Sequence, residues 1–150
     1  MIKVKRIDHV AIAVADRDAS AQQLAGLFGL ETGAREHVAG QKTDVAFLDA
    51  GGVDVVSLEL CAPAGQDGQD GNDSLRRFLA NRGPGLHHVC FEVDDLPAAL
   101  ASLKAAGVRL IDETPRPGAR GHLVAFLHPS ATGGVLFELC APAATSQGRS

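Results

Sequence analysis

The feature that most constrains the fold of this chain is an internal repeat. A seven-residue segment occurs at residues 58–64 as LELCAPA and again at 137–143 as FELCAPA, with six identical positions and an offset of 79 residues. The segment VAFL at 45–48 returns at 124–127 with the same offset. Self-similarity at a fixed distance predicts two similar modules that pack together.

The repeat also places metal-ligand residue types at equivalent positions. His9 and His88 are 79 residues apart, as are Glu59 and Glu138, and each His precedes its Glu by 50 residues. Imidazole and carboxylate groups are common ligands of divalent transition metals, so the duplicated pairs predict a metal site. For either half alone, the alternative is a carboxylate at the rim that is hydrogen-bonded to a nearby histidine.

Composition and charge narrow the range of partners. The chain has 150 residues, a formal net charge of −4 and 45% hydrophobic residues, with no long cluster of Lys and Arg. Nothing in it favours binding to nucleic acid or to an anionic membrane surface. No leader and no apolar run near the ~18 residues of a membrane span are found, so we expect a cytoplasmic protein. Three cysteines without CxxC spacing favour reduced thiols.

Hydrophobic periodicity and cap residues predict a single domain over 1–150, made of module one (5–64), a linker helix (65–84), module two (85–142) and a frayed tail (143–150). A helix is expected from its cap at Asp16 to about Phe28, with Leu24, Leu27 and Phe28 as its apolar stripe and Gly29 as its end. A second begins at a cap on Asn72 or Asp73, and a third begins at Asp95. Strands are predicted at 7–14, 43–48, 53–60, 86–93, 108–111, 122–127 and 135–139, with an uncertain one near 31–38.

Strict alternation along these strands selects among the histidines. It places His9 on one face with Ala11 and Ala13, and it turns Asp8 and His87 to the other face. We therefore predict that His88 is a ligand and that His87 is not. His122 has the parity of inward-facing residues of its strand and is a weaker candidate for the cavity.

Several segments resemble the vicinal oxygen chelate superfamily, and within it the methylmalonyl-CoA epimerases most closely. They are IDHVAIAV at 7–14, DSLRRFLANRG at 73–83, GLHHVCFEV at 85–93 and the run from PRPGARG at 115 to FEL at 139. The resemblance implies an α+β fold in which two βαβββ modules, related by a pseudo-two-fold axis, form a cupped sheet around a metal.

The resemblance further implies a function. His9, Glu59, His88 and Glu138 would hold one divalent ion (Co, Mn, Ni or Zn), and the enzyme would interconvert (R)- and (S)-methylmalonyl-CoA by α-proton abstraction through a metal-stabilised enolate. Glu138 is expected to act as one base, and Glu59 as a ligand that can also serve as the second base. An acyl-CoA substrate and a homodimer are implied as well.

Two features depart from the family pattern or concern the substrate. Some epimerases carry another Glu on the strand that matches 43–48, where this chain has Thr43 at an inward position. Arg116 and Arg120 lie in a Pro/Gly-rich segment that we expect to form a loop over the substrate, where they could meet the phosphates of coenzyme A.

Three alternatives remain open at this stage. A glyoxalase I-type lactoylglutathione lyase would use the same two His and two Glu. An extradiol-type dioxygenase would need only one carboxylate. A metal-free binding or resistance module of the same fold would have no reason to keep four ligand-type residues.

Overall fold

The computed structural model describes residues 1–65 and 71–144. Residues 66–70 of the predicted linker and 145–150 of the predicted tail lie outside these ranges. None of the helices described is long and apolar enough to cross a membrane. The elements in order are β1 (Val4–Ala13), α1 (Arg17–Phe28), β2 (Glu31–Val38), β3 (Thr43–Asp49), β4 (Ser57–Pro63), α2 (Asp73–Arg82), β5 (Gly85–Val93), α3 (Leu96–Ala105), β6 (Arg116–Pro117), β7 (His122–Phe126) and β8 (Phe137–Pro142).

All eight of these strands form one mixed sheet, with the order β2-β3-β4-β1-β5-β8-β7-β6. The first strand of each half pairs in parallel with the last strand of that half, β1 with β4 and β5 with β8. The two halves join where β1 and β5 run antiparallel at the centre. Each half is thus a βαβββ unit, and the predicted α+β fold is confirmed.

The helix ends confirm the predicted caps. The Asp16 side chain accepts hydrogen bonds from the backbone N–H groups of Asp18 and Ala19, and α1 ends at Gly29, whose φ of 64° suits a residue without a Cβ. Asn72, rather than Asp73, caps α2 by accepting from the N–H of Leu75.

The outer helices of the two halves pack to very different extents. Leu96 and Leu100 of α3 are fully buried against β5, β7 and β8. Helix α1 has no fully buried residue. Leu24 is half-buried against the sheet, but Leu27 and Phe28 are 67% and 69% exposed, so the predicted apolar stripe of α1 is wrong at these two positions.

Three strand predictions need adjustment. Strand β2 exists, but β4 begins at Ser57 and not at 53. Residues 108–111 contribute only an isolated bridge between Leu110 and Leu127. The edge of the sheet is instead the two-residue β6, since proline has no N–H to donate and suits a sheet edge.

Candidate active site

Two β-bulges in the central strand pair shape the site. The pairing of β1 with β5 shifts between Ile7 and His9, so that Asp8 is an extra residue in β1. It shifts again where Ala11 pairs with His88 and Ile12 with Leu86, so that His87 is extra in β5. The two bulged residues are 79 positions apart, so the bulge itself is repeated. A bulge re-aims its side chains, which simple alternation does not anticipate.

The consequence is that the face prediction for Asp8 is wrong. Asp8 and His9 are both buried, with 1% and 4% of their surfaces exposed, and both line the same inner cavity. His87 likewise lines a cleft together with its neighbour His88 instead of facing away from it.

The bulged strands bring the four sequence-predicted ligands together. His9 Nε2 lies 3.3 Å from His88 Nε2, 3.2 Å from Glu59 Oε2 and 3.5 Å from Glu138 Oε1. His88 Nε2 lies 3.9 Å from the same Glu138 oxygen. With metal–ligand bonds of about 2.1 Å, two ligand atoms on one ion are about 3.0 to 3.4 Å apart at octahedral or tetrahedral angles. The spacings fit a shared cation.

Burial makes the two carboxylates poor anions without such a cation. Desolvation raises the pKa of Glu59 to about 7, although the charge of His9 opposes the shift. It raises the pKa of Glu138 to about 8, although the Cys90 side chain and the charge of Arg116 oppose that shift. Two carboxyl groups that cannot both ionise easily in a buried site are what a divalent ion would stabilise.

Each ligand histidine is oriented through its other ring nitrogen. His9 Nδ1 lies 2.7 Å from Asp8 Oδ2, and Asp8 is also bound by the guanidinium groups of Arg6 and Arg120. Burial opposes ionisation of Asp8, but the hydrogen bond from His9 and the charges of Arg120 and Arg6 outweigh it and lower its pKa to about 2. Asp8 therefore stays an anion that holds His9 with Nε2 facing the site.

On the other side, His88 Nδ1 lies 2.9 Å from His87 Nδ1, so its Nε2 also faces the site. Desolvation, and then the charges of His9 and His87, lower the pKa of His88 well below its usual value. His88 is thus a neutral ligand-type imidazole.

Two further groups of ligand-type atoms are close together, Asp8 with His9 and Cys90, and Asp8 with His122 and Cys140. Both depend on Asp8, which is already engaged by two arginines. The group of His9, Glu59 and His88 has no such competitor and is the better cation site among the described residues.

Sequence reasoning identified the ligand-type residues but misjudged Arg120. Its guanidinium turns inward, 3.8 Å from the ring centre of Phe47, and contacts Asp8 and Ser57. It is therefore not a phosphate-binding residue on an outer loop. His122 does line the inner cavity, as its strand parity suggested, and its Nδ1 contacts the carbonyl of Arg120.

The site opens to solvent through a cleft of 410 Å³. Glu59 lines both this cleft and the inner cavity, whereas Glu138 lines the inner cavity only. The cleft is wide enough for an acyl chain to approach Glu59 and His88 from one side.

Comparisons with known proteins follow this geometry. The sequence model of the Glyoxalase/Bleomycin resistance protein/Dioxygenase superfamily matches residues 8–126. An ethylmalonyl-CoA/methylmalonyl-CoA epimerase of Cereibacter sphaeroides is 37% identical over 138 residues, which cover 91% of this chain and 97% of the relative. The mitochondrial methylmalonyl-CoA epimerase of Bos taurus is 36% identical over 89% of this chain and 73% of its own length.

Solved structures agree with the sequence relatives. A methylmalonyl-CoA epimerase in complex with methylmalonyl-CoA and NH4+ superposes with a TM-score of 0.85 at 32% identity, covering 95% of this chain and 97% of that one.

Proposed function

The chain belongs to the Glyoxalase/Bleomycin resistance protein/Dioxygenase superfamily, and from that membership we propose that it is a methylmalonyl-CoA epimerase. The observation that carries the proposal is the pair of buried carboxylates, Glu59 and Glu138, beside two oriented imidazoles in a site whose relatives act on this thioester. A base on each side of an α-carbon is what inversion at that carbon requires.

We propose that His9, Glu59, His88 and Glu138 hold one divalent ion. When bound, such an ion would act as a Lewis acid towards the thioester oxygen. The oxygen and nitrogen donor set is compatible with Co, Mn, Ni or Zn and does not select among them.

The roles of the chain's own residues follow from their surroundings. Glu138, buried at 3% exposure, is positioned to take or return the α-proton, and Glu59 is the ligand that can serve the opposite side. Thr43 does not replace the additional Glu of some epimerases, because its hydroxyl donates to the Gln41 carbonyl at 2.8 Å and cannot accept a proton at neutral pH. Hydrophobic packing around the carboxylates limits the access of water and keeps their pKa values near the working pH.

The test is an exchange experiment with purified, metal-loaded protein in deuterium oxide. We expect deuterium to enter the α-position of methylmalonyl-CoA while the epimers interconvert. A parallel assay with the methylglyoxal–glutathione hemithioacetal addresses glyoxalase chemistry, which shares the same ligand set. Rapid conversion of the hemithioacetal without exchange in methylmalonyl-CoA would overturn the proposal.

We also propose that two copies form a homodimer through the outer face of the central strands. Ile7 of β1 and Leu86 of β5 are 42% and 73% exposed there. Sedimentation equilibrium of wild type and of Leu86→Glu tests this, since the charged variant should dissociate. A cytoplasmic location stays a prediction.

A further inference from the structure

The two Phe rings related by the repeat each contact a ligand histidine and an arginine. In the first half, Phe47 packs edge-on against His9, with ring centres 5.7 Å apart, and Arg120 lies over its face. In the second half, Phe126 packs edge-on against His88 at 5.1 Å, and the Arg116 guanidinium lies 5.8 Å from its ring centre. Phe47 and Phe126 are 79 residues apart, and both arginines come from the one segment around β6.

The partners of the two guanidinium groups differ. Arg120 binds the carboxylate of Asp8, the bulged residue beside His9. The equivalent bulged residue beside His88 is His87, which offers no carboxylate. Arg116 instead approaches Asp112, with 3.4 Å between Nε and Oδ1 and without hydrogen-bond geometry. Its terminal nitrogens have no hydrogen-bond partner within residues 1–65 and 71–144.

Arg116 also lies where a ligand can reach it. Its side chain is 36% exposed and lines the 410 Å³ cleft together with Glu59 and His88. Its charge is felt by Glu138, which places it near the reacting groups. A guanidinium with free donors, held over an aromatic ring beside a cation site, is suited to bind a planar carboxylate.

We propose that Arg116 binds the free carboxylate of the acyl group and thereby selects dicarboxylic acyl thioesters over simple ones. The inference rests on the proposed function for the identity of the acyl group. In the first half a protein carboxylate occupies the arginine of the pair, and in the second half the substrate supplies the carboxylate.

The experiment measures equilibrium binding of malonyl-CoA and propionyl-CoA to metal-loaded protein by calorimetry. The two ligands share the nucleotide and the thioester and differ by one carboxylate. We expect Arg116→Met to weaken malonyl-CoA binding by about 10- to 100-fold, the range of one charge-assisted hydrogen-bonded pair, and to leave propionyl-CoA binding within about twofold. Arg116→Lys should fall between wild type and Arg116→Met, because it keeps the charge without the planar fork.

The matched control is Arg109→Met, which removes an exposed positive charge from a residue that does not line the cleft. It should leave both affinities unchanged. Equal weakening of both ligands in Arg116→Met would mean that Arg116 contacts the nucleotide phosphates, and unchanged binding of both would mean that it contacts neither. Either result overturns the inference. Should Arg116→Met melt early, Arg116→Gln repeats the test without the charge.

Failure of the function and failure of the inference are distinguishable. A wild-type protein that does not exchange the α-proton but prefers malonyl-CoA through Arg116 would overturn the epimerase proposal alone. A wild-type protein that epimerises, with Arg116→Met retaining the full preference for malonyl-CoA, would overturn the inference alone.

Discussion

Behind His9, the first half of the molecule places the carboxylate of Asp8, whereas behind His88 the second half places the imidazole of His87 at the same repeat position. An anionic partner strengthens the hydrogen bond to Nδ1 and raises the basicity of Nε2, whereas a neutral partner does so less. The two halves therefore supply the same ligand types with different support. Duplication of a module fixes where side chains lie, but each copy can then take a separate role.

The sharpest test of this division concerns the two glutamates. Glu138→Gln keeps the size and an oxygen ligand but cannot accept a proton, so we expect a loss of turnover of roughly 10²–10⁴-fold. The measurement is the rate of epimerisation at saturating substrate, with metal content determined on the same sample.

Glu59→Gln is the matched variant in the other half. An equal loss would indicate that the halves supply one base each. A rate near that of wild type would make Glu59 a ligand only and would direct the search for the second acid to His122 or to a bound water.

The outer helices differ as much as the ligand supports do. Leu100→Ala in α3 removes a side chain that is 3% exposed and should lower the free energy of unfolding by about 2–5 kcal/mol. Leu24→Ala in α1 removes only a half-buried side chain and should cost about 1 kcal/mol. Urea titrations at fixed metal concentration measure both. Similar losses would show that α1 is held to the sheet as tightly as α3.

Removing the bulged residues compares the supports directly. Asp8→Asn keeps the shape of the side chain but removes the anion behind His9, and we expect metal affinity to fall by about 10- to 100-fold. His87→Asn removes a neutral partner and should have a smaller effect. Competition with a fluorescent chelator gives both dissociation constants, and a larger loss in His87→Asn would reverse our assignment of the stronger support.

Complete removal of a ligand provides the reference for these values. His9→Ala and His88→Ala should both lose metal more severely than either bulge variant, since each deletes a donor atom. Retention of metal by one of them would exclude that histidine from the site.

The smallest effect is expected in the pH dependence of the metal-free protein. Because the folded pKa values of Glu59 and Glu138 are raised to about 7 and about 8, the folded state retains protons that the unfolded carboxyls, with ordinary values near 4.5, have released. The free energy of unfolding should therefore fall as the pH rises from about 6.5 to 8. His87 and His88, whose pKa values are lowered, contribute only below their ordinary value of 6.5 and leave this window clean.

Chemical denaturation of chelator-treated protein at several pH values measures this slope. Glu138→Gln should flatten it, and so should added metal, because a cation favours the ionised carboxylates. A slope that is unchanged by metal would place the ion elsewhere.

The sequence by itself determined the two-module α+β fold and the four ligand-type residues. The reason is that the 79-residue offset acts on the sequence directly: equivalent residues of two similar modules must occupy equivalent places, whatever the details of packing. The helix caps were also readable, since Asp16 and Asp95 satisfy backbone N–H groups within a few residues of their own position.

Only the tertiary structure decided what stands behind each ligand. Asp8 and His87 face the site because bulges in β1 and β5 interrupt the two-residue alternation, and a bulge depends on how two strands distant in sequence pair. Arg120 turns inward because Asp8 and Phe47 receive its guanidinium across 112 and 73 positions of the chain. Arg116 faces the cleft because the matching bulge holds a histidine. Contacts of this kind depend on which side chains the fold brings together, which no local pattern specifies.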